Sequence, residues 1–348
     1  MIFAAMSRMS RARAERLRRR ELVALAGGAT AVVARPFVAR AEQVEYARRV
    51  GVLMAYREND PEGQALLEEF LQGLARRGWA ERRNLRLAIR WAPGGDLLWA
   101  AARELVELRP DAILANATPA TAALQHETSS IPIVFAMVAD PVGSRFVRSM
   151  ARPGGNITGF TALDVPIVDK WLGLLKQFTP DLRQAAIMFN PDTAPYVKPL
   201  LLLPFVAAAQ ALNLATLPAP VRSNAEIEAV MAVLARDRPG GLVVTPDNFV
   251  EGHRAPIISL AARNNVAAIF HRPEEAHAGG LMSYGADFAD IFRRASGYVD
   301  SILHGARPWE LPVQTPAKYV MVVNTRTART LGLAVPPAIL ANADEVIE

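Results

Sequence analysis

Ile131-Pro132-Ile133-Val134-Phe135-Ala136-Met137 is followed by Asp140-Pro141-Val142-Gly143, by Ala151-Arg152-Pro153-Gly154-Gly155-Asn156, and then by Ile157-Thr158-Gly159-Phe160. The first run is apolar, rich in β-branched residues, and has the length of a strand buried on both faces, as in a parallel sheet covered by helices. Asp-Pro and Pro-Gly-Gly-Asn are chain breakers. The pattern therefore predicts a strand edge facing a cleft and then a hinge, with one α/β unit before it and a second copy of the plan behind it.

Upstream, residues 49–54 predict a buried strand ending in a loop that carries Tyr56 and Arg57. Leu66, Leu67, Phe70, Leu71 and Leu74 recur at helical spacing over residues 62–77, and Gly78 supplies a stop. Residues 85–91 alternate as a strand, 97–108 predict a helix and 112–115 another strand. At Asn116-Ala117-Thr118-Pro119 the chain turns into a helix, with Thr118 expected as N-cap and Pro119 as first helical residue. Alternation of strands and helices predicts a parallel sheet, whose ligands bind beyond the carboxyl ends of the strands. The loops at Tyr56, Asn116 to Thr118 and Asp140 are therefore the ones to follow.

Downstream, helices are expected at residues 165–178, 204–212, 223–236 and about 253–264, and strands at 185–189, 214–217, 241–244 and 267–270. Asn190 to Tyr196 and Thr245-Pro246-Asp247-Asn248 form loops at strand ends. Arg109-Pro110, a strand, a Thr/Pro/Asn loop, a helix and a strand are matched in order by Arg238-Pro239 and its successors. A strand leads into Tyr284-Gly285-Ala286-Asp287, a helix covers 288–304, and a strand covers 319–324. The expected division is a lobe of residues 46–160 with 286–312 and a lobe of 161–285 with 313–348.

Charge locates to one end. Residues 1–41 hold nine Arg and two Glu, a net of +7, so the +5 of the whole chain leaves −2 on the other 307 residues. A nearly neutral body lacks the clustered basic surface that nucleic-acid binding needs. The basic start, the short apolar run from Leu22 to Ala34 broken by Gly27-Gly28, and Ala39-Arg40-Ala41 predict an export signal cut after Ala41. Arg18-Arg19-Arg20-Glu21-Leu22-Val23 is similar to the twin-arginine variety. The run is shorter than the roughly 20 apolar residues needed to span a bilayer. The chain has no cysteine, which excludes disulfides, a lipid-modified cysteine and a thiol nucleophile.

Arg49-Val50-Gly51-Val52-Leu53, Ile131 to Phe135, Asp140-Pro141-Val142-Gly143, Pro153-Gly154-Gly155-Asn156-Ile157-Thr158-Gly159, Gly279-Gly280-Leu281-Met282-Ser283-Tyr284-Gly285 and Asn324 with residues 336–347 resemble the ABC transporter substrate-binding proteins, related to tryptophan- and other amino-acid-binding members. The resemblance implies the type I periplasmic-binding fold: two Rossmann-like lobes with parallel sheets flanked by helices, a three-segment hinge, and a ligand between the lobes. It also implies a periplasmic monomer that hands its ligand to a permease and ATPase, docks only peripherally on the membrane, and has no cofactor. An exported enzyme of the same doubly wound fold and a periplasmic sensor subunit are the competing classes.

In such a cleft a helix start presents N–H groups to a carboxylate and a side-chain carboxylate pairs with an ammonium. Thr118, with Asn116 beside it and helped by Arg57, is the expected anion cradle. Asp287, then Asp247, then Asp140 are the expected ammonium partners. Tyr56, Tyr196 and Tyr284 are expected to wall an apolar or aromatic side chain, with Asn190 and Asn248 on the flanking loops. Each Asp also fits a turn or cap role, which Asp beside Pro or Gly commonly fills. His271-Arg272-Pro273-Glu274-Glu275-Ala276-His277 has metal-like residues, but Pro273 is expected to interrupt their helix, so no metal is assigned. No G-x-S-x-G elbow, P-loop or strand-borne G-x-G-x-x-G occurs, and no catalytic residue is assigned.

Overall fold

The computed structural model describes residues 47–236 and 239–348; the expected export signal and Arg238 lie outside them. The first layer contains β1 (Arg48–Met54), α1 (Pro61–Ala75), β2 (Leu85–Trp91), α2 (Gly95–Glu107), β3 (Ala112–Asn116), α3 (Ala117–Glu127), β4 (Ile133–Val138) and β5 (Ile157–Thr161). Its five strands are all parallel, in the order β2-β1-β3-β4-β5. Alternation along β1 explains why both faces need cover. Val50, Val52 and Met54 meet Leu66, Phe70 and Leu74 of α1, whereas Leu53 meets Leu98 and Leu105 of α2 and Leu124 of α3.

The second layer contains α4 (Ile167–Phe178), β6 (Gln184–Phe189), α5 (Leu203–Ala211), β7 (Ala215–Pro220), α6 (Asn224–Arg236), β8 (Gly240–Val244), α7 (Asn248–Gly252), α8 (Arg254–Arg263), β9 (Ala267–Phe270), α9 (Pro273–His277) and β10 (Met282–Ala286). After α10 (Phe288–Leu303) come β11 (Tyr319–Asn324), α11 (Thr325–Thr330), α12 (Pro337–Asn342) and β12 (Glu345–Ile347). The sheet runs β12-β11-β10-β9-β8-β6-β7, parallel except for β10 against β11. Trp171, Leu175 and Phe205 fill one side of it, and Ile227, Met231, Leu234 and Ile257 fill the other.

α10 follows a strand of the second sheet yet packs on the first. Its Ile291, Phe292, Ala295 and Val299 share a core with α1 and β1. Gly73 permits this approach, because a Cβ there would lie 2.2 Å from Ser296 Oγ. Three crossings then run side by side between the sheets. Thr161 N donates to Gln314 O at 2.9 Å, Gln314 N to Gly159 O at 3.0 Å, and Asp287 N to Lys318 O at 3.0 Å. Two helix-covered sheets joined in this way form the type I periplasmic-binding fold.

The helix expected at about 253–264 is α8, and an unexpected short helix, α7, precedes it where buried Asp247 caps a start by accepting from Phe249 N. Two local expectations are corrected. Pro273 begins α9 as its first residue, where its missing N–H costs nothing, rather than interrupting a helix. Thr118 does not cap α3: Asn116 holds the N-cap position, and Ala117 enters the helix with φ +64°.

Candidate functional site

The carboxyl ends of the parallel strands carry the loops of interest. From the first sheet come residues 55–60, 116–118 and 137–140, and from the second 190–196, 245–248, 271–272 and the start of α10 at Asp287. Buried Asn116 knits the first set together. Its Oδ1 accepts from Ala55 N at 3.1 Å, and its Nδ2 lies 3.7 Å from Met137 Sδ. Because that side chain faces its neighbours, it makes no cap bond to α3, and among the described residues no other side chain accepts from an N–H of that helix start. Ala117 and Met137, on either side of it, have φ of +64° and +67°. Left-handed conformations of non-glycine residues are strained by about 1–3 kcal/mol and cluster where a fixed geometry is needed. Half-buried Thr118 follows Ala117, and Arg57 is exposed on the adjoining loop.

The second set is a closed network. The Asp247 carboxylate accepts from Asn190 N, Thr193 Oγ1 and Phe249 N, the last at 2.8 Å. Asn190 Oδ1 accepts from Asp192 N at 2.8 Å, and Tyr196 donates its hydroxyl to Pro246 O. Burial, then the nearby Asp247 and Glu251, push the Tyr196 phenol well above its ordinary pKa, so it stays a donor. Asn248 is exposed at the first position of α7.

The other nominated residues lie in separate settings. Asp140 Oδ1 accepts from Gly143 N at 2.7 Å, closing a turn, and Asp287 Oδ1 accepts from Asp290 N at 2.9 Å, capping α10. Tyr284 stacks on Tyr319 with ring centroids 5.4 Å apart and planes 6° from parallel, and Lys170 Nζ stands 5.6 Å over its ring. Burial raises the Tyr284 phenol, with Asp344 adding to it. Tyr56, Tyr196 and Tyr284 thus bond to different partners: Tyr56 donates to Glu62 Oε1 at 3.1 Å, toward the other edge of the cleft.

That edge holds the residues sequence reasoning missed. Arg272, after β9, reaches from the second sheet to Glu62 in the first turn of α1. The same guanidinium lies 3.5 Å from Glu251 of α7 and 5.9 Å from the Phe288 ring. His271 Nε2 is 3.2 Å from Glu251, and Glu275 accepts from the His271 and Arg272 N–H groups at 3.1 and 3.0 Å. Burial works against charge on Arg272, but Glu251 and Glu62 outweigh it and hold its pKa above the usual value. Burial likewise opposes charge on His271 and is outweighed by Glu275 and Glu251, so its pKa is raised; Glu251, desolvated but beside His271 and Arg272, has its pKa lowered. Burial, then Glu62, raises the Tyr56 phenol, while burial dominates the upward shift of Glu275. The available signal was Pro273 at a helix start with Glu275 two positions on, which places a carboxylate over the N–H groups before it. Gly285 also serves this edge: a Cβ there would sit 1.8 Å from His271 O, so β10 lies tight against the loop.

The chain and its fold have counterparts among known proteins. A family model described as ABC transporter substrate binding protein matches residues 60–347. A tyrosine-binding protein of Clostridioides difficile (strain R20291) is 23% identical over 265 residues, 76% of this chain and 75% of the relative. A crystal structure of a conserved domain protein from Vibrio cholerae O1 biovar El Tor superposes with TM-score 0.74 at 27% identity, covering 86% of this chain and 99% of that one. A Streptococcus pneumoniae ABC domain in complex with L-Trp gives TM-score 0.75 at 23% identity, covering 86% and 100%.

Proposed function

Because the chain belongs to the ABC transporter substrate-binding protein family, we propose that it captures a small amino acid or related carboxylate, with an apolar or aromatic side chain, and delivers it to a membrane permease and its ATPase. On this reading the protein is exported by a twin-arginine signal removed after Ala41, works in the periplasm as a monomer, and performs no chemistry on its ligand. Residues 46–160 with 286–312 move as one body, and 161–285 with 313–348 as the other. Only the closed arrangement lets both touch the ligand, so the ligand favours closure.

The observation that carries this reading is the uncapped start of α3, with Ala117 held left-handed beside buried Asn116 at the carboxyl end of β3. A helix start without a side-chain cap presents free N–H groups to a carboxylate. The N–H groups of Ala117 and Thr118 are the proposed cradle, with Arg57 nearby, and Asn190, Tyr196, Asp247 and Asn248 form the facing wall. The ligand class is supported by relatives named for tyrosine and crystallised with L-Trp.

A thermal-shift panel of L-tyrosine, L-tryptophan, aliphatic amino acids, sugars and inorganic anions tests the proposal. Stabilisation by amino acids alone is expected, with the ligand recovered unchanged. Stabilisation only by sugars or inorganic anions, or turnover of the ligand, contradicts it.

A further inference from the structure

Three carboxylates converge on Arg272: Glu62 on Nη2, Glu251 at 3.5 Å from Nη1 and Glu274 at 3.3 Å from Nε. Even with His271 protonated and Glu275 neutral, the group holds more acids than cations. The guanidinium is 11% exposed and Glu62 26%, so their charges are only partly screened. The two partners are not equally dependent on each other. Arg272 can release Glu62 and keep Glu251 and Glu274. Among the described residues Glu62 without Arg272 keeps only the Tyr56 hydroxyl, and a half-buried carboxylate left without a cation is costly.

Glu62 also lies where an amino acid would need it. Strands β1 and β3 are neighbours, and their following loops are joined by the Ala55 N to Asn116 Oδ1 bond. Tyr56 and Glu62 follow β1, the strand next to the one that leads into α3. The aspartates of the other loops already accept main-chain N–H groups, in the turn at Asp140, the network at Asp247 and the cap at Asp287. We propose that Glu62, with the Tyr56 hydroxyl, is the subsite for the ligand's α-ammonium, which takes the place of Arg272 on the Glu62 carboxylate. This rests on the amino-acid reading of the cleft. It deepens that reading by making a primary ammonium a condition of binding. A carboxylic acid without one offers Glu62 nothing in exchange for Arg272 and forgoes that charge-assisted contact.

The test compares L-tyrosine with 3-(4-hydroxyphenyl)propionate, its analogue lacking the amine, by calorimetry on the wild-type protein and on Glu62→Gln. If another amino acid gives the largest thermal shift, that amino acid and its des-amino analogue are used. The wild type is expected to favour the amino acid by about tenfold or more, as befits a lost charge-assisted contact. In Glu62→Gln the amino acid weakens by about tenfold or more, while the des-amino acid binds as well as before or better. Equal losses for both ligands would make the ion pair a latch between the sheets. Unchanged binding of both would place the ammonium elsewhere. Either result overturns the inference and leaves the amino-acid cleft standing, whereas a wild type that binds no amino acid overturns both. The wild-type comparison needs no variant: equal affinity for the two ligands also overturns the inference, even where Glu62→Gln fails to fold.

Discussion

The loops above the second sheet and the loops that meet at Arg272 both carry charged side chains, yet they use them in opposite ways. Asp247, 4% exposed, spends its carboxylate on Asn190, Thr193 and Phe249, all within its own half. Glu62 and Arg272 bond across from one half to the other, amid more carboxylates than cations. A satisfied network within one body fixes the shape of a wall. An unbalanced one spanning two bodies can exchange a partner, and that is what a capture site requires.

Asp247→Ala breaks the first kind of network and gives the largest expected effect. It strands the buried N–H of Asn190 and the donors of half-buried Phe249 and exposed Thr193, so urea denaturation should show a loss of about 3 kcal/mol. A loss within about 0.5 kcal/mol would mean that the network is not what shapes the wall. Arg272→Gln breaks the second kind and should cost about 2 kcal/mol at neutral pH, less than a fully buried pair because Glu62 is partly exposed. That cost should shrink as acid protonates the stranded glutamates; a pH-independent loss would point to packing against Phe288 instead. Asp287→Ala separates a cap from a contact. As a cap it is worth about 1 kcal/mol of stability with ligand affinity unchanged, whereas a matching drop in affinity would return Asp287 to the ligand.

The smallest expected effect is in pH dependence. His271 faces Glu251 from α7 and Glu275 from α9, with Arg272 adjoining it, and its folded pKa is raised despite burial. The folded state therefore holds this proton more tightly than the unfolded chain. The stability it contributes is fully present below the ordinary histidine value of about 6.5 and is lost as pH rises through the folded value. The melting temperature should fall as pH rises from about 6.5 through that folded value, and His271→Gln should flatten the decline. A slope identical in wild type and variant would remove His271 as its source.

Much of the fold was legible because it follows from period and punctuation. The strands at 85–91, 267–270 and 319–324 match their expected ends, the first because its residues alternate and the other two because short apolar runs between polar or Gly- and Asn-bearing segments have few other uses. The return of α10 to the first sheet depends on Gly73 and Ser296, which lie more than 200 positions apart and show no local pattern. The wide-turn segment Val197–Leu202 ahead of α5 was hidden by Pro199 and Pro204, which read as breaks in a helix.

The edge at Arg272 was less legible than the fold. Its partners come from residues 62, 251 and 271–275, so the stretch containing Arg272 shows only charges and a proline. Nor does sequence tell an aspartate that caps from one that binds. Asp140 and Asp287 occupy turn and cap positions that local chemistry makes common, and the same residue types would serve a ligand. Thr118 was misplaced as a cap because the decisive feature, the left-handed Ala117, belongs to a residue type that rarely adopts it.

A crystal structure of the protein with its bound amino acid tests the central claim most directly. The account predicts one ligand between the sheets, within hydrogen-bond distance of residues 116–118 on one side and of the loops at 190–196 or 245–248 on the other. A ligand held by one sheet alone would contradict it. So would a ligand seated in the cavity of about 370 Å³ at the opposite end of the first sheet, lined by Arg48, Asp111, Asn156, Arg307 and Trp309.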